Sequence, residues 1–145
     1  MSGLERKLER INCLLEELRS EVSAGALLVV EGERDVESLK AIGVRDNILA
    51  VKSSGKNLPD IVDELCCFGD REVILLMDFD RHGRELTKRL TQSLERMRIK
   101  LNLAFWRKLS ILLGNDLKDV EGLAAYIKTL RRKVERRRLQ PESIW

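Results

Sequence analysis

The chain has 145 residues, 43% of them hydrophobic, which suits one domain with a real core. Charged residues make up 35%, yet the formal net charge is only +3, so charge accounts for solubility and does not by itself indicate a nucleic-acid partner. No apolar run approaches the roughly 20 residues that span a membrane, aromatics at 4% argue against base stacking as the main binding device, and three cysteines without a Cys-x-x-Cys pair argue against a cysteine zinc site.

Residues 4 to 22 read as an amphipathic helix. Leu4, Leu8, Ile11, Leu15, Leu18 and Val22 recur at alternating spacings of four and three, on one stripe. The stripe suits a helix laid across the domain, or a short coiled-coil seam that would make a homodimer. Ala26 to Val30 is a continuous apolar run, the pattern of a strand buried on both faces. Residues 33 to 41 look helical. Ile48 to Val51 is a second buried strand, closed by Ser53, Ser54 and Gly55, and residues 58 to 67 form a helix with Pro59 in its first turn. Glu72 to Met77 is a third strand, followed by a long helix from about Gly83 to Met97. Leu101, Leu103 and Phe105 alternate as a fourth strand, and residues 119 to 138 form the last helix. Its end is strongly basic: residues 131 to 138 carry seven charges, six of them positive.

Strands alternating with helices at this spacing predict an α/β fold with a four-stranded, mainly parallel sheet. The expected organisation is one globular domain: an N-terminal helix (1–23), an α/β body (24–130) and a basic helix end or tail (131–145). The odd cysteine count and the lack of a signal peptide predict a reducing, cytoplasmic setting.

Glu31 directly follows the first strand, in Val-Val-Glu-Gly. Asp78 directly follows the third, in Met-Asp-Phe-Asp-Arg-His-Gly, with Asp80 two residues on. In open α/β sheets the functional crevice lies beyond the carboxyl ends of the strands, where strand order reverses. If the first and third strands are neighbours, Glu31 and Asp78 meet there. Crowded carboxylates repel unless neutralised, and a hard divalent cation such as Mg²⁺ neutralises them. Glu31 either ligates or serves as the acid–base group. Acids at strand ends also cap helices, and Asp80 is placed to cap the helix after it.

Taken together, strand–Glu-Gly and strand–Asp-x-Asp-x-x-Gly resemble the Toprim domain over roughly residues 24 to 125. That domain is shared by topoisomerases, DnaG-type primases, OLD-family nucleases, RecR-type recombination proteins and the ribonuclease that matures 5S ribosomal RNA. The short form is most similar to the small, primase-like Toprim proteins of archaea and some bacteria. The resemblance implies a three-layer, Rossmann-like fold. It implies Glu31 as general acid or base, Asp78 and Asp80 as the pair that binds Mg²⁺ (with Mn²⁺ as a substitute), and Gly32 and Gly83 as turn glycines. Arg81-His82-Gly83 is closer to the primase and ribonuclease branch. Topoisomerases often place a further acid near position 82, and this chain has His82. Tyr126, among apolar neighbours, reads as core and not as a covalent nucleophile.

Asp119 is a further candidate, for a metal contact or for the N-cap of the last helix. Lys52 and Lys56, flanking Ser53-Ser54-Gly55, suit phosphate contacts, as do Arg34, Arg81 and Arg84 near strand ends. His82 is expected to be peripheral. The implied function is action on nucleic-acid phosphodiesters, RNA or DNA, as a nuclease-like or related phosphoryl-transfer enzyme. The alternatives are a non-catalytic nucleic-acid-binding or partner module, with residues 131 to 138 giving salt-dependent binding, and a primase-like nucleotidyl transferase.

Overall fold

A computed structural model describes residues 2–52 and 57–139. In chain order the elements are α1 (Gly3–Ser23), β1 (Leu27–Val30), α2 (Glu33–Ala41), β2 (Ile48–Ala50), α3 (Leu58–Cys66), β3 (Val73–Leu75), α4 (Arg81–Arg96), β4 (Leu101–Asn102), α5 (Ala104–Leu113) and α6 (Leu123–Leu139). The sheet is parallel throughout, in the order β2-β1-β3-β4. Leu28 pairs with Ile48 on one side and with Ile74 on the other, and Val73 pairs with Leu101. The chain therefore leaves β1 towards β2, then crosses back to β3. This reversal puts the switch point between β1 and β3, with the carboxyl ends of both strands at one edge.

The apolar runs are continuous because both faces of the sheet are covered. Leu28, Val30, Ala50, Ile74 and Leu76 face a cluster built with α1, α2, α5 and α6. Leu27, Val29, Val73, Leu75 and Met77 face the opposite cluster, built with α3 and α4. The result is a three-layer α/β sandwich, with α1 laid over α5 and α6.

The stripe of α1 is used within the chain. Ile11, Leu14, Leu15, Leu18 and Val22 are buried and Leu4 and Leu8 pack against the same cluster. The stripe that would make a coiled-coil seam thus packs within the chain, against α5 and α6.

Two expectations are corrected. The fourth strand stops at Asn102, and Phe105 lies in a helix, α5, that the sequence reading missed. The alternation of Leu101, Leu103 and Phe105 masked a second period, since Phe105, Leu109 and Leu113 recur at four-residue spacing and are all buried. Asn102 makes the changeover. Its Nδ2 donates to Glu72 Oε1 at 2.8 Å and its Oδ1 accepts the Ala104 N–H at 2.8 Å. Asn102→Ala removes both and is expected to cost about 1–2 kcal/mol, lowering Tm by about 3–8 °C. An unchanged melting curve would show that α5 starts without this clasp. The last helix begins at Leu123, not near 119, because the preceding residues form a loop tied to Asp78 and Phe79, just beyond the third strand.

Candidate functional site

Glu31 leaves the end of β1 with its side chain buried, and the residue is only 6% exposed. Its carbonyl oxygen accepts the Lys52 N–H at 2.9 Å, continuing the β1–β2 pairing by one step. Its carboxylate faces two donors: the Asp78 backbone N–H lies 3.5 Å from Oε1, and Lys52 Nζ lies 3.4 Å from Oε2. Lys52 Nζ is also 3.2 Å from His82 Nε2. A connected set, Asp78–Glu31–Lys52–His82, thus runs across the carboxyl edge of β3, β1 and β2 to the first turn of α4. The expectation that Glu31 and Asp78 meet if β1 and β3 are neighbours is met.

Asp78 is held from a distant part of the chain. Its Oδ1 accepts the Val120 N–H at 3.0 Å, the Phe79 N–H donates to the Lys118 carbonyl at 2.8 Å, and the Trp106 indole N–H lies 3.4 Å from the Asp78 carbonyl oxygen. Burial raises the Asp78 carboxyl to about 7; the Val120 N–H opposes the rise, and the neighbouring charges of Glu31 and Asp35 add to it. Asp35 is buried and accepts the Gly32 N–H at 3.0 Å. Burial raises its carboxyl too, against the Gly32 hydrogen bond, with the charges of Glu31, Glu121 and Asp119 adding. The edge therefore gathers the carboxyls of Glu31, Asp35 and Asp78, with the Lys52 ammonium in direct contact with Glu31.

Asp80 takes the capping role. It is exposed and its Oδ1 accepts the Gly83 N–H at 2.7 Å, opening α4. Among the described residues, no three Asp, Glu, His or Cys side chains close into a metal cage. The donors available are carboxylate oxygens on Asp78 and Asp80, with Glu31 adjacent. That set fits a hard cation held by one or two carboxylates, its other positions left to water and phosphate, which is how Mg²⁺ is commonly bound.

Gly83 has a steric role. A Cβ there would strike the Asp78 carbonyl oxygen and lie 2.6 Å from its carbonyl carbon and 2.9 Å from its Cα. The glycine lets α4 start directly against the loop that carries Asp78. Gly32, extended, is the N-cap of α2.

The remaining predicted residues divide. Asp119 Oδ1 accepts the Gly122 N–H at 2.7 Å, so it caps the turn into α6, yet lies near enough to raise Asp35. Arg34 pairs with Glu121 at 3.4 Å and Arg81 with Glu85 at 3.4 Å, both as exposed surface pairs. Arg84 is exposed on α4. Lys56, with Ser53, Ser54, Gly55 and Trp145, lies outside the described residues. Tyr126 is half-buried, and its hydroxyl donates to Asp116 Oδ2 at 2.9 Å, away from the acidic edge.

Sequence reasoning missed Asp35, Trp106 and Val120. Asp35 could have been found as the acid at the third position of a helix that starts at a glycine, the place that reaches back to the N-cap N–H. Val120 contributes only a backbone N–H, which no residue type announces.

Comparisons with known proteins agree with this fold. The family model described as the Toprim domain matches residues 26–104. The chain is similar to a UPF0292 protein from Methanosarcina acetivorans, 38% identical over 129 residues, covering 88% of this chain and 87% of that one. A UPF0292 protein from Methanocaldococcus jannaschii is 35% identical over 119 residues, 82% of this chain and 91% of the relative. A solved structure of a protein from Aquifex aeolicus superposes with a TM-score of 0.62 at 27% identity, covering 76% of this chain and 94% of the other.

Proposed function

The chain belongs to the Toprim-domain family, whose membership carries a metal-binding, nucleic-acid-related role in general, and from that premise we propose that it is a Mg²⁺-dependent enzyme acting on nucleic-acid phosphodiesters, nuclease-like or a related phosphoryl transferase. The observation that supports this most is the pairing of Glu31 with Asp78 at the switch point. Two carboxyls are held there by fixed backbone donors, and one is raised to about 7.

Asp78 and Asp80 would hold the metal, with Glu31 and Asp119 nearby. When bound, Mg²⁺ or Mn²⁺ offsets charge on a phosphoryl oxygen and acidifies a coordinated water. The protein's own groups do the rest. Glu31 is nearly buried and its carboxylate is oriented by Lys52 and the Asp78 N–H, so it is positioned to exchange a proton with a reacting oxygen. Lys52 and His82 face each other at the rim, where an incoming phosphate would meet both. The surface pairs of Arg34 and Arg81 are weakly held, so their guanidinium groups are free to exchange a carboxylate for a phosphate. Arg84 and Lys56 are the remaining phosphate contacts in this reading. No helix among the described residues is long and apolar enough to cross a membrane.

The decisive experiment is a panel of structured RNA, single-stranded DNA and duplex DNA, each with Mg²⁺ or Mn²⁺, comparing the intact chain with Glu31→Gln. Cleavage of at least one substrate that requires the metal and fails in Glu31→Gln is expected. Full cleavage by Glu31→Gln, or none by the intact chain on any substrate, would sink the proposal.

A further inference from the structure

The outward face of α6 is cationic from Lys128 to Arg136. Leu123, Ile127, Leu130 and Val134 face the core. Helical geometry then puts Lys128, Arg132 and Arg136, four residues apart, in one stripe on the opposite side. All three are exposed, and the ion pairs among the described residues involve none of them.

The stripe works against its own helix. Like charges at this spacing cost about 0.2–0.5 kcal/mol per pair. The helix dipole accounts for cations in the last turn only, where Arg136, Arg137 and Arg138 lie. Arg138 is moreover held by Glu5 of α1 at 3.7 Å. Lys128 and Arg132 have neither explanation.

The position of α6 supplies one. Its start is anchored at the acidic edge: the Val120 N–H reaches Asp78 Oδ1, the Gly122 N–H reaches Asp119 Oδ1 at 2.7 Å, and the Ala124 N–H reaches Ser38 Oγ of α2 at 3.0 Å. At a rise of about 1.5 Å per residue, the stripe begins about 8 Å from the helix start and ends about 20 Å from it.

We infer that this face of α6 is a rail for the phosphate backbone of a nucleic acid, carrying the strand from the acidic edge along the helix. The inference rests on the proposed action on nucleic acid and adds the binding surface and its direction. At about 3.4 Å per nucleotide, a strand on the rail places about six nucleotides between the acidic edge and Arg136. Recognition by charge alone is independent of sequence and sensitive to salt.

The test is metal-free binding of labelled 12-nucleotide RNA and DNA, single-stranded and duplex, to the full chain across a salt series. K128A/R132A/R136A is compared with K88A/R89A/R96A, which removes exposed cations from α4 instead. The α6 variant should bind at least tenfold more weakly at low salt. Its slope of log K against log salt should be shallower by about 2–3, the loss of three phosphate contacts. Circular dichroism should show α6 intact, since alanine favours helix and the repulsion is gone. An unchanged slope, or an equal loss in the α4 variant, would overturn the rail. The same proteins are titrated with phosphatidylserine vesicles, and a loss confined to the vesicles would also overturn the rail and assign the face to lipid. Because binding is read without metal, failure of the rail is distinct from failure of turnover.

Discussion

Asp78→Asn is expected to make the metal-free protein more stable at pH 8 while eliminating metal-dependent turnover. The folded carboxyl titrates at about 7 against an ordinary value of 3.8, chiefly because it is buried. The folded state therefore binds the proton more tightly than the unfolded chain does. That contribution to stability is fully present below pH about 4 and is lost as pH rises through about 7. Asparagine keeps an oxygen for the Val120 N–H and has nothing to ionise. Discounted for the solvent that reaches this half-buried group, the gain at pH 8 is on the order of 1–2 kcal/mol, or about 3–8 °C in Tm, shrinking towards zero at pH 4. Millimolar Mg²⁺ should then raise the Tm of the intact chain at pH 8 and leave that of Asp78→Asn unmoved, since binding to the folded state alone stabilises it. Thermal melts at pH 4 and 8, with and without Mg²⁺, check both signs. A variant less stable than the parent at pH 8 would mean that Asp78 serves the fold and is not held ready for a cation.

Gly83→Ala carries the second large effect, and its sign runs against helix propensity. Position 83 lies in the first turn of α4, and within a helix alanine is ordinarily better than glycine by about 1 kcal/mol. Here the added methyl meets the Asp78 backbone, with its carbonyl carbon at 2.6 Å. Backbone cannot rotate away as a long side chain can, so α4 or the Asp78 loop must shift. The expected loss is about 3 kcal/mol, or about 6–12 °C in Tm, at the upper end of overpacking costs. Metal affinity should fall as well, because the displaced segment carries Asp78 itself. A Gly83→Ala protein that melts at or above the parent temperature would refute the close approach.

The sequence made the site legible where chemistry sits on side chains at strand ends. Two apolar runs followed by Glu31 and Asp78 were enough to anticipate their meeting, because a parallel sheet with right-handed crossovers allows few strand orders. Asp80 could be read either as a ligand or as a cap, since a carboxylate two residues after a strand suits both, and the cap is formed here. The α5 helix was hidden because Leu101, Leu103 and Phe105 satisfy a two-residue period before the four-residue one becomes visible. The stripe of α1 fixed that a face would be buried, but a seam of leucines is equally suited to a partner helix or to α5 and α6. The hold on Asp78 by Val120 was beyond reach, because it rests on a main-chain N–H 42 residues away.

That hold also gives the site a birth order. The Toprim match ends at residue 104, so a fragment cut at the family boundary would contain Glu31, Asp78 and Asp80 but neither Trp106 nor Val120, two of the groups that fix Asp78. During synthesis the same interval is a delay. At about 5–20 residues per second, Val120 is made roughly 2–8 seconds after Asp78. Through that window the nascent chain carries its acidic motif without the clamp, and the hold on Asp78 can form only after Val120, just ahead of α6, has been added.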